Sequence, residues 1–98
     1  MNARFLLEAE DEMNEAASFY ESQVSGLGGR FLDEIKECVE RILERPRIGR
    51  RLRGELRRLL VTRFPYSVVY ATEDETAIIV AVAHQRRRPG YWVGRYPL

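Results

Sequence analysis

A chain of 98 residues, 45% hydrophobic and 32% charged, has the length of one domain, 1–98, and the balance of a soluble globular protein. No apolar run nears the roughly 20 residues that span a bilayer, and no basic segment leads into an apolar core as in a secretory leader. The single cysteine, Cys38, excludes an internal disulfide, so a cytoplasmic location is the simplest expectation.

The net charge of +1 conceals a division. Residues 1–44 carry four cations and eleven acids, whereas residues 45–98 carry twelve cations and four acids. An acidic layer and a basic layer with different partners are implied. Fifteen of the sixteen cations are arginine, the residue better suited to bidentate contacts with phosphate or carboxylate.

Residues 3–7 form a short apolar run that reads as a strand. Acids follow at Glu8, Glu10, Asp11 and Glu12, where they complement the positive end of a helix dipole. Ala9, Met13, Ala16, Ala17, Tyr20 and Val24 then recur at steps of three and four, which makes one apolar stripe. Gly26, Leu27, Gly28 and Gly29 break the pattern as a tight link. A second helix carries Phe31, Ile35, Cys38, Val39 and Ile42 on its apolar face and stops before Pro46. The short link makes the two helices an antiparallel hairpin.

Residues 46–54 read as a basic loop. Residues 55–63 alternate as a strand, with Arg57, Leu59, Val61 and Arg63 on one face and Leu56, Arg58, Leu60 and Thr62 on the other. Phe64 and Pro65 make a turn. The next strand puts Tyr66, Val68 and Tyr70 on one face and Ser67, Val69 and Ala71 on the other. A polar turn at residues 73–75 leads into the most apolar strand, residues 76–83. Short links pair these strands antiparallel. The expected class is α+β with the order β-α-α-β-β-β, two layers, the helix hairpin packed on one face of a mainly antiparallel sheet. The bulkier residues Ile78, Val80 and Val82 are expected to face the helices. Arg58 is expected on the uncovered face.

The order of elements, Glu8, Ala9 and Glu10 at the helix start, and Phe19 and Tyr20 near its end resemble the RelE/ParE toxin superfamily. So do Gly26, Leu27 and Gly28 before Phe31 and Leu32, and Arg63, Phe64, Pro65 and Tyr66 before Val69 and Tyr70. Ala83, His84, Arg86, Arg87 and Pro89 complete the pattern, which covers essentially the whole chain. The resemblance implies a toxin of a type II toxin–antitoxin module and a cognate antitoxin that wraps and neutralises it. It allows a heterotetramer or larger complex with that antitoxin, with no membrane and no cofactor involved. Two activities occur in the superfamily: ribosome-dependent mRNA cleavage by RelE-like members, and inhibition of DNA gyrase by ParE-like members.

Metal-free RNA cleavage needs a base, cations to stabilise the phosphorane, and an acid for the leaving oxygen. Arg58, His84 and Arg86 are the catalytic candidates under that reading. Arg63, Arg87 and Arg88 would contact the target, and Tyr91 or Trp92 could stack on a base. Plainer readings stand beside these. His84 at a strand end also serves structurally, residues 86–88 also suit a solvated loop, and Tyr91 and Trp92 also suit closing the sheet. The arginines of residues 50–58 also suit pairing with an acidic antitoxin segment or with the acidic helices. Tyr20, Tyr66, Tyr70 and Cys38 read as packing. The resemblance implies an arginine near the start of the middle strand of a nuclease, where this chain has Ser67, and Leu60 replaces another basic position. The expectation therefore leans to a ParE-like inhibitor of gyrase. A RelE-like nuclease is the alternative, and an inactive binding domain of the same fold is the second. No pattern matches a metal site, a phosphate-binding glycine loop or a nucleophile triad.

Overall fold

The computed structural model describes residues 1–97. Strand β1 (Asn2–Phe5) leads into helices α1 (Leu7–Gln23) and α2 (Leu27–Glu44). Strands β2 (Arg50–Arg53), β3 (Leu56–Leu60), β4 (Tyr66–Glu73) and β5 (Thr76–His84) follow, and a short 3-10 turn spans Val93–Arg95. The strands form one sheet in the order β1-β5-β4-β3-β2. β1 runs parallel to β5, and every other pairing is antiparallel. The α+β, two-layer expectation holds, with one strand more than the sequence suggested.

The helix hairpin is closed by side chains as well as by spacing. Ala9, Ala16 and Ala17 are buried on α1, and Phe31, Ile35, Cys38, Val39 and Ile42 on α2. Val24 falls off the expected stripe: it follows the last turn of α1 and is 58% exposed. The link is shorter than its glycines imply, because α2 already begins at Leu27. Gly26 turns the chain at φ 88, a left-handed conformation that glycine adopts without strain. Gly28 serves close approach, since a Cβ there would lie 2.5 Å from the Ala17 carbonyl oxygen. The first amides of α2 lack a cap from their own residue, and Glu21 of α1 supplies one. Its carboxylate accepts from Gly26 N–H and Gly28 N–H, each at 2.9 Å. Those amides hold the Glu21 carboxyl below its ordinary range.

α1 packs on β5, and α2 on β1, β3 and β4. Beneath them lie Val61, Val68, Tyr70, Ala77, Ile79 and Val82. At the linked end of the hairpin Tyr20, Phe31, Phe64 and Tyr66 form an aromatic cluster with centroids 5.0–6.3 Å apart, edge-to-face except for the tilted Tyr20–Phe31 pair. Tyr20 and Tyr66 thus pack as the sequence suggested, and Cys38 is 2% exposed, its thiol pushed up to about 11 by burial.

Three further expectations are corrected. First, residues 46–54 are not simply a loop. Tyr70 O–H donates to the Pro46 carbonyl at 2.8 Å and accepts from Gly49 N–H at 2.9 Å, and Arg57 donates to the Gly49 carbonyl at 2.9 Å. These bonds lay residues 50–53 beside β3 as an edge strand. Its arginines hid the alternation, because only Leu52 is apolar. Second, the facing parity of β5 is not Ile78, Val80 and Val82. Val69 pairs with Ala81 but Tyr70 pairs with Ile79, which leaves Val80 as an extra residue in a bulge. Ala77 and Ile79 face the helices before the bulge and Val82 after it, while Ile78 and Val80 face away. Third, the far face is not bare. Leu56, Val69, Ala71, Ile78, Val80, Ala81 and Ala83 are covered there by Tyr91, Trp92, Val93 and Tyr96. With apolar cover on both sides, side-chain bulk could not reveal which parity met the helices.

Gly28→Ala is expected to lower unfolding free energy by about 1–3 kcal/mol through the clash with Ala17. Gly29→Ala, with nothing within 4 Å of the added carbon, should raise it by about 0.5–1 kcal/mol. Urea denaturation of the two variants measures both signs.

Candidate functional site

At the C-terminal end of β5 the chain leaves the sheet at His84 and returns over its far face. A cleft of about 120 Å³ lies between this segment and the sheet. Its lining includes Arg58 and Leu52 from the β2–β3 edge, Ser67 and Val69 from β4, and residues 83–85 and 87–92. Six of the eight side chains singled out from sequence meet here: Arg58, His84, Arg87, Arg88, Tyr91 and Trp92. Strand pairing brings their positions together, since Arg58 stands opposite Val69 on β4 and Ser67 opposite Ala83 on β5.

The remaining two lie elsewhere. Arg86 is exposed and does not line the cleft; its backbone N–H donates to His84 Nδ1 at 3.0 Å. Arg63 sits in the β3–β4 turn at φ 69, the left-handed region that is costly for a non-glycine residue. Its side chain, 78% exposed, pairs with Glu34 of α2 at 3.0 Å. It borders a separate groove with Tyr20, Leu27 and Phe64.

His84 is held from two sides. Its Nδ1 accepts the Arg86 amide, and its ring stands edge-on to Tyr66 with centroids 5.0 Å apart. Trp92 is 9% exposed and packs on the sheet, with its remaining edge in the cleft wall. Tyr91 lies under Arg87, whose guanidinium carbon is 3.9 Å from the ring centroid.

Tyr91 is fixed by Glu12, one of the acids in the first turns of α1. Glu12 Oε2 accepts from Tyr91 O–H at 2.7 Å, and the same carboxylate takes both ends of the Arg95 guanidinium at 2.9 Å. Glu12 Oε1 also accepts from Val82 N–H at 3.0 Å, and Arg95 donates to the Val80 carbonyl at 3.2 Å. Burial by itself would raise the Glu12 carboxyl, but the bonds from Arg95, Tyr91 and Val82 outweigh it and hold the group below its ordinary range. Burial and the Glu12 charge push the Tyr91 hydroxyl well up, so it stays protonated. A readable signal for Glu12 existed: it lies three residues after Ala9 and four before Ala16, on the buried stripe. Arg95, 83 positions away, carried none.

The cleft is lined by three arginines, a histidine and the buried Ser67, with no carboxylate among its residues. Such a set can hold an anion. Among the described residues no group of three or more His, Cys, Asp or Glu side chains could hold a metal ion.

Comparison with known proteins accords with this architecture. The profile of the family described as the ParE toxin of the type II toxin-antitoxin system, parDE, matches residues 3–89. Among solved structures, "Chromosomal ParDE TA system from P. aeruginosa" superposes with a TM-score of 0.64 at 16% identity. The match covers 86% of this chain and 95% of that one. No curated protein sequence matches significantly.

Glu12→Gln is expected to cost about 2 kcal/mol at neutral pH. It should also flatten the acid side of the stability profile. The carboxyl titrates near 4.5 when free and lower in the fold. Its contribution is therefore complete above 4.5 and is lost as pH falls through the folded value. Denaturation midpoints between pH 3 and 7 for the two proteins test this.

Proposed function

The chain belongs to the ParE toxin family of type II toxin–antitoxin systems, and from that premise we propose that it arrests growth by inhibiting DNA gyrase. The observation that carries the non-cleaving reading is the chemistry of the cleft. Cleaving RNA requires a group to take the 2′-hydroxyl proton, and the lining offers no carboxylate and no lysine. Tyr91 is held protonated by Glu12, and one nitrogen of His84 is already engaged. Ser67 occupies the middle-strand position where the nuclease resemblance implied an arginine, and it is buried. A RelE-like ribosome-dependent nuclease is the second reading, favoured by the convergence of Arg58, His84, Arg87 and Arg88.

A cognate antitoxin would neutralise the toxin, and the two would assemble as a heterotetramer or a larger complex in the cytoplasm. No helix of the described residues is long and apolar enough to cross a membrane. Two surfaces suit an antitoxin tail. One is an apolar groove of about 330 Å³ lined by Phe5, Met13, Leu32, Ile35 and Val39, with Leu32 38% exposed. The other is the sheet edge at β2, where Arg50, Arg51 and Arg53 are exposed and would meet an acidic extended segment.

Induction of the chain without its antitoxin is expected to stop growth and block supercoiling by purified gyrase, with no new mRNA 5′ ends. New cuts within codons that disappear in Arg86→Ala would establish the nuclease instead. Healthy growth at confirmed soluble expression would leave a toxin-fold binding domain without activity. Leu32→Asp should weaken antitoxin binding at least about tenfold while leaving growth arrest intact, as read by titration calorimetry and plating.

A further inference from the structure

The floor of the cleft holds a buried hydroxyl without a partner. Ser67 is 4% exposed, and its Oγ makes no hydrogen bond among the described residues. An unpaired buried hydroxyl costs about 1–3 kcal/mol, a cost that a purely structural position would avoid with alanine. Solvated arginines need no ligand, whereas this hydroxyl lacks an acceptor.

The cations beside it are also unneutralised. Arg58, half-buried on β3, and Arg87 and Arg88, exposed on the returning segment, line the same cavity. The ion pairs among the described residues involve Arg63 and Arg95 instead. A volume of about 120 Å³ has room for a compact tetrahedral anion. Guanidinium forks and a hydroxyl donor together match the several acceptor oxygens of a tetrahedral oxyanion.

We propose that this cleft binds a single phosphate group, intact, with Ser67 Oγ and Arg58 as its inner donors and Arg87 and Arg88 at its mouth. The proposal does not depend on gyrase being the target. The phosphate belongs either to a small nucleotide or to a nucleic-acid backbone.

Trp92 is the only tryptophan and lines the cleft, so its fluorescence reports occupancy. The purified chain would be titrated with inorganic phosphate, and with sodium chloride at matched ionic strength. A saturable change with phosphate alone is expected. Arg58→Gln should weaken it about tenfold or more, and Arg51→Gln, outside the cavity, should not. Ser67→Ala gives the sharper reading: phosphate binding falls several-fold while the melting temperature in phosphate-free buffer rises, because the orphan hydroxyl is gone. Tighter binding of a nucleoside monophosphate than of a short single-stranded oligonucleotide would assign a small ligand, and the reverse order a strand backbone. A response no greater than that to chloride, or phosphate binding undiminished in Ser67→Ala, overturns the proposal.

Discussion

Beyond Ile79 the strand β5 has left β1 behind, and its edge would face the base of α1 with backbone groups unpaired. The Glu12 carboxylate and the Arg95 guanidinium close that edge, one taking the Val82 amide and the other the Val80 carbonyl. A buried amide without a partner costs as much as a lost hydrogen bond. The ion pair therefore does for β5 what a sixth strand would do. It also couples three segments, since α1 supplies the acid, β5 the backbone, and the C-terminal turn the cation. Both partners are mostly shielded, at 14% and 18% side-chain exposure, so the pair escapes the screening that weakens surface salt bridges.

The position of the cleft depends on this arrangement. Glu12 holds the Tyr91 hydroxyl, and Arg87 lies against the Tyr91 ring. At the other end of the returning segment, the Tyr96 hydroxyl donates to Glu73, which with burial pushes it up to about 12. Between these anchors Trp92 covers Val80 and its neighbours on the far face. Arg87, stacked on the Tyr91 ring, and Arg88 line the same cleft as Arg58. The acidic half and the basic half of the chain meet at two salt bridges among the described residues, Glu12 with Arg95 and Glu34 with Arg63. Most of the remaining arginines make no ion pair among the described residues, so the second half of the chain keeps a basic surface.

Much of the fold was legible because its signals are local. The stripe of Phe31, Ile35, Cys38 and Ile42 announces α2, and the alternation from Tyr66 to Ala71 assigns both faces of β4. Arg58, His84, Arg87 and Arg88 were legible as candidates, but not that these four would share a cleft while Arg86 and Arg63 stay outside it. The features that escaped are those in which a distant partner overrides a local pattern. Three arginines mask β2, whose placement is secured by Tyr70 through Gly49 and Pro46. The bulge at Val80 reverses the parity of β5 midway, and no residue in that apolar run marks it.

By itself the amino-acid sequence determined the element order, the hairpin, the charge division and the family resemblance. All of these rest on spacings of a few residues or on composition. Tertiary structure decided which face of β5 meets the helices, what covers the other face, and which arginines share a cleft. It also decided that Ser67 is buried without a partner. These outcomes depend on contacts between residues far apart in the chain, such as Glu12 with Arg95 and Tyr70 with Pro46. Such pairs leave no periodicity, and only the folded chain brings them within hydrogen-bonding distance.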